Sequence, residues 1–95
     1  MNPADSRVAV IGIIIQNLDV VAELNGIIHE YRDIVLGRMG IPYKQKNINI
    51  MSIAVDAPTT AISALTGKIG RLKGVTVKTA YAPMPESCAS LDSPS

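Results

Sequence analysis

Residues 7–15 form an almost unbroken aliphatic run in which odd and even positions alike are apolar, interrupted only by Ala9 and Gly12. A strand points alternate side chains to opposite faces, so a strand made from this run needs apolar surroundings on both sides. It is too short to cross a bilayer, which takes about 20 apolar residues. It is not a signal peptide either, because Asp5 stands beside Arg7 and no small-residue cleavage pattern follows. The run therefore reads as the central strand of a small domain. The chain has 95 residues, enough for one core and too few for two. Phe and Trp are absent and only three Tyr occur, so that core is built from Ile, Val, Leu, Met and Ala.

Downstream the pattern alternates between strand and helix. Asn17 is placed to cap a helix with Asp19 in its first turn, and Val20, Leu24, Ile27, Ile28 and Tyr31 then fall on one face. Gly26 lowers the intrinsic helicity, which implies either compensating packing or a close approach at that point. Residues 34–39 read as a second strand, residues 40–47 as a basic connection, and residues 48–55 as a third strand. A second helix is expected to start within residues 56–60, with Pro58 near its first turn and Asp56 or Thr59 as cap. Its apolar stripe is Ile62, Leu65, Ile69 and Leu72, and Gly74 stands where a left-handed terminating residue belongs. Residues 75–81 alternate as a half-exposed fourth strand.

The order is β-α-β-β-α-β, the split arrangement of the ferredoxin-like fold: an α+β domain with two helices on one face of a four-stranded antiparallel sheet. The domain is expected over residues 7–82, between a disordered lead-in at 1–6 and a disordered tail at 83–95, rich in Pro and Ser. Both helices cover one side of such a sheet, yet the first and third strands are apolar on both sides. Val8, Val10 and Ile14 oppose Ala9, Ile11, Ile13 and Ile15; Ile48, Ile50 and Ala54 oppose Met51, Ile53 and Val55. Whichever set faces the helices, the other needs cover, and a homo-oligomer (dimer or tetramer) through the open sheet face follows.

No catalytic constellation emerges. His29 is the only histidine and sits within the first helix without a nucleophile nearby in sequence. A metal centre would need several His or Cys ligands, and His29 with Cys88 in the tail do not make one. No metal or cofactor is expected, and Cys88 alone allows no intrachain disulfide, which suits a cytoplasmic protein. The segment Gly67, Lys68, Ile69, Gly70 is not a phosphate loop, because Ile62 stands where the first glycine is required and Ile69 where the hydroxyl belongs. Gly67 and Gly70 are read instead as letting the helix lie close to the sheet or a neighbour. With a net charge of +1 and mixed signs, no basic stripe for direct nucleic-acid binding appears, and Tyr43, Lys44, Gln45 and Lys46 read as a solvated hairpin tip. Two places suit a small ligand. One is the turn at Gln16 and Asn17, where helix N-terminal amides attract an anion. The other is the strand around Gly37, Arg38 and Gly40, where Arg38 offers a bidentate partner to a carboxylate or phosphate.

Three stretches carry a resemblance to a known family: residues 35–42, residues 64–70 and residues 74–79. In order and spacing they resemble the small proteins named iron-only hydrogenase system regulators, over about residues 7–81. The resemblance implies an ACT-like fold, similar to the ligand-binding half of nickel-responsive repressors, and a role in regulation, including transcriptional regulation. Those repressors carry a ribbon-helix-helix DNA-binding segment ahead of the regulatory domain and bind nickel through several histidines and a cysteine. Six residues precede the first strand here, and His29 with Cys88 cannot supply the nickel set. A DNA contact would then come from a partner protein.

The expectation is a non-enzymatic, oligomeric regulatory or sensor module, binding a small ligand or a partner protein between subunits near Asn17 or Arg38. A structural or assembly factor acting through protein contacts without a small ligand is the alternative. An enzyme would require a substrate cavity lined by His29 or Arg38.

Overall fold

In the computed structural model, which describes residues 6–83, the apolar run becomes the 10-residue strand β1 (Ser6–Ile15). The expectations for residues 1–5, for residues 84–95 and for Cys88 lie outside the described residues. Burial along β1 alternates without a break: Ala9, Ile11, Ile13 and Ile15 are sealed, while Val8, Val10 and Ile14 are exposed. β1 lies inside a four-stranded sheet of order β2-β3-β1-β4, where β2 is Val35–Tyr43, β3 is Ile48–Pro58 and β4 is Val75–Tyr81. Every neighbouring pair is antiparallel. Helices α1 (Val21–Glu30) and α2 (Thr59–Gly70) complete the α+β, ferredoxin-like architecture.

The core is a single aliphatic layer between helices and sheet. Leu24 and Ile28 of α1 and Ile62, Leu65 and Ile69 of α2 pack with the odd-numbered residues of β1 and with Met51, Ile53, Val55 and Ala57 of β3. Burying each large aliphatic side chain stabilises the fold by about 1.5–3 kcal/mol relative to exposure, and no buried charged or polar residue offsets it among the described residues. Between the helices, Lys68 Nζ lies 3.4 Å from Glu30 Oε1 and 5.1 Å above the Tyr31 ring. The Tyr31 side chain, and after it the Glu30 carboxylate, hold the Lys68 ammonium above its ordinary pKa of 10.5.

The turn into α1 follows the sequence signals. Asn17 Oδ1 accepts from the Asp19 amide at 3.1 Å, and a short 3-10 turn (Leu18–Val20) leads into the helix. Gly74 has φ +76°, the left-handed value expected of it, and a Cβ there would lie 2.7 Å from Asn17 Cβ. Glycine is required at this position on both counts.

Three boundaries differ from expectation. β2 runs on through Gly40 and Pro42 to Tyr43, leaving only a 3-10 turn at Lys44–Lys46 and a left-handed Asn47 to make the connection. β2 is an edge strand, where a proline without an N–H is tolerated. β3 continues through Asp56 and Ala57 to Pro58 because β1 offers these residues partners: Val8↔Asp56, Arg7↔Ala57 and Ser6↔Pro58. α2 thus begins at Thr59, with Pro58 in the cap position and no side-chain cap. β1, in turn, begins at Ser6, one residue before the start expected from the sequence. A Cβ added at Gly26, Gly67 or Gly70 meets nothing within 4 Å, so none of these glycines serves a close approach among the described residues.

Candidate functional site

The registry of β2 decides where Arg38 points. Val35 pairs with Val55, but Gly37 pairs with Ala54 and Arg38 with Ile53, so an irregularity between Val35 and Gly37 takes up one extra residue. Without that residue, Arg38 would stand opposite Ser52 on the open face. The bulge turns it to the helix side instead. There its Nη2 donates to Asn25 Oδ1 of α1 at 2.8 Å and approaches Met51 Sδ at 3.8 Å.

A cleft of about 270 Å³ lies at this junction, lined by Asn25, Ile28, His29, Arg32, Val35 and Arg38. α1 supplies the first three, spaced so that they share one face of the helix. Arg32 comes from the 3-10 turn at Arg32–Ile34 and donates from Nη1 to the His29 carbonyl oxygen at 3.0 Å. Ile28 is buried and Val35 half-buried, which makes an apolar floor beneath two guanidinium groups. No carboxylate is among the lining residues, and the ion pair found among the described residues, Lys68–Glu30, lies elsewhere. Both arginines are oriented by neutral acceptors that leave their charge intact. Such a cleft can hold an anion. It is also the cavity lined by His29 and Arg38 that an enzyme would require, although no nucleophile or carboxylate stands beside His29 in its lining.

The predicted ligand residues do not gather in one place. Arg38 lines the cleft, with Gly40 nearby on the helix side of β2, opposite Met51, and Gly37 on the open side, opposite Ala54. Gln16 and Asn17 lie at the β1–α1 turn and are already engaged. The Gln16 amide donates to the Gly74 carbonyl at 2.8 Å, and the Asn17 carbonyl accepts from the Val20 amide at 3.2 Å. Asn25, His29 and Arg32 belong to the cleft and were not among the predicted ligand residues. The spacing of Asn25 and His29 on the exposed side of α1, with Arg32 in the turn just beyond it, carried part of the signal, but the arrival of Arg38 depends on the bulge.

The second feature is the open side of the sheet. Val8, Val10, Ile14, Met39, Ile41, Tyr43 and Ile50 are all large, apolar and at least 38% exposed, a density of uncovered side chains rare on an isolated domain. In their midst Gly12 leaves a hollow of about 310 Å³, walled by Ile14, Ile50 and Ser52 and bordered by Thr76 and Lys78. A Cβ on Gly12 would meet only the Lys78 carbonyl oxygen, at 3.8 Å, so nothing among the described residues needs this position empty. No helix among the described residues is long and apolar enough to cross a membrane.

Comparison with known proteins places this fold. No curated protein matches the chain. Among solved structures it is similar to the uncharacterized protein TM1266 of Thermotoga maritima, at 26% identity and a TM-score of 0.79, over 82% of this chain and 99% of that one. A formyltetrahydrofolate deformylase from Pseudomonas putida KT2440 shares the fold alone, at 11% identity and a TM-score of 0.58. That likeness covers 80% of this chain and 29% of the deformylase. The sequence profile of the TM1266-like family matches residues 7–79. The chain belongs to that family, described as "Iron-only hydrogenase system regulator, putative".

Proposed function

We propose that this protein is a non-catalytic regulatory module of an iron-only hydrogenase system, working in the cytoplasm as a homo-oligomer joined through its open sheet face. The observation that carries the reading is the second apolar face. The strands that seal the core with their odd residues present Val8, Val10, Ile14 and Ile50 to the outside with their even ones.

A second copy of the chain suits that face better than other occupants. The face carries one acid and one base, Asp56 opposite Val8 and Lys78 opposite Gly12, so a two-fold-related copy can set Asp56 against Lys78. Four strands about 4.8 Å apart and some 25 Å long give roughly 500 Å² in projection. With side-chain relief this approaches the roughly 800 Å² per partner of a standard interface. The hollow at Gly12 accepts a side chain from the opposing copy. Regulation of the hydrogenase system rests on the family's description.

Native mass spectrometry of gently purified protein tests the proposal. A dimer or tetramer for the wild type, reduced to monomer by Ile14→Asp, supports it. A wild-type monomer at micromolar concentration contradicts it.

A further inference from the structure

We infer that the cleft between α1 and β2 is a binding site for a small oxyanion, a carboxylate or phosphate group carried on a compact metabolite. As the ligand of the proposed regulatory module it rests on that reading, but the site is formed within one chain and can be tested apart from self-association.

Three features support the assignment. Arg32 and Arg38 bring two permanent positive charges to one cleft, and no carboxylate in the lining neutralises them. Each guanidinium is held by one short bond to a neutral oxygen, Asn25 Oδ1 at 2.8 Å and the His29 carbonyl at 3.0 Å. A guanidinium has five N–H donors, so most remain free for a ligand while its orientation is already set. The size of the cleft, about 270 Å³, is below the roughly 300 Å³ at which pockets for drug-sized molecules begin. An oxyanion on a short carbon skeleton can set its charge between the arginines and its carbons on Ile28 and Val35. The bulge in β2 is what brings Arg38 to this side of the sheet, so the irregularity has a functional consequence.

Titration of isotope-labelled protein with inorganic phosphate and, separately, with succinate, followed by amide NMR shifts at constant ionic strength, provides the test. Sodium chloride serves as the control. Saturable shifts centred on Asn25, His29, Arg32 and Arg38 are expected with at least one probe, and the tighter of the two identifies phosphate or carboxylate as the favoured group. Arg38→Gln should weaken that binding roughly tenfold or more, the effect of losing a charge-assisted bidentate contact. Arg32→Gln provides a second variant should the first lose its dispersed spectrum. No saturable shift with either probe, shifts that map elsewhere, or unchanged affinity in a folded variant would overturn the inference. Binding retained by a monomeric Ile14→Asp protein would support the site even where self-association is absent.

Discussion

The two faces of the sheet are cut from the same strands, both carry large aliphatic side chains, and only one of them is covered. On β3, Ile53 is wholly sealed under the helices, while Ile50, three residues earlier on the opposite face, is 38% exposed. On β1 the same division separates Ile11, Ile13 and Ile15 from Val8, Val10 and Ile14. Both sides carry large aliphatic side chains; only the helix side encloses them. The helix face accounts for the fold of one chain, and the open face has apolar surface left over for association.

The largest effect should come from the closed face. Ile53→Ala is expected to destabilise the protein by about 2–5 kcal/mol in denaturant unfolding, through lost transfer energy and a cavity that packed neighbours cannot fill. Ile50→Ala, made in a monomeric Ile14→Asp background, should cost about 1 kcal/mol or less, because its site is already open to water. Equal costs for the two would break the distinction between the faces. Gly74→Ala belongs to neither face and should cost about 1–3 kcal/mol, from a positive φ and a collision with Asn17. A cost near zero would show that the β4 entry turn relaxes freely.

Gly12→Val sharpens the comparison from the other direction. Its Cβ has ordinary space within the chain and a β-branched residue suits a strand, so thermal unfolding of the monomer should change by less than about 1 kcal/mol. Dimerisation should nevertheless weaken, measured by dilution, because the hollow proposed to receive the opposing copy is filled. Unchanged association would remove the hollow from the interface. The smallest effect is expected at the exposed helix pair. Lys68 has its pKa raised in the folded protein, so its contribution to stability is fully present below the unfolded value of 10.5 and is lost as pH rises through the folded one. Glu30→Gln should flatten that alkaline dependence slightly and leave neutral-pH unfolding almost unchanged.

Much of the fold was legible because period and parity are local properties. The run at residues 7–15, the stripe of Ile62, Leu65 and Ile69, and the left-handed Gly74 each state their role within a few residues. The ends of β2 and β3 were misread where local chemistry argued against a strand that tertiary pairing supplied. Asp56 and Pro58 look like a helix start, yet the alternation of Met51, Ile53, Val55 and Ala57 runs through them and β1 pairs them all. Pro42 looks like a loop residue but occupies an edge, where its missing donor is harmless. The cleft was half legible. Arg38 stood out as a free cation, but the extra residue ahead of it reverses its face, and only α1 docking beside β2 brings Asn25, His29 and Arg32 within its reach.

Sedimentation equilibrium of the wild type and of Ile14→Asp, at matched micromolar concentrations, tests the central claim most directly. The account predicts a dimer or tetramer for the wild type and a folded monomer for the variant. A folded monomeric wild type, or an oligomer indifferent to Ile14→Asp, would show that the open apolar face is not where copies of this chain meet.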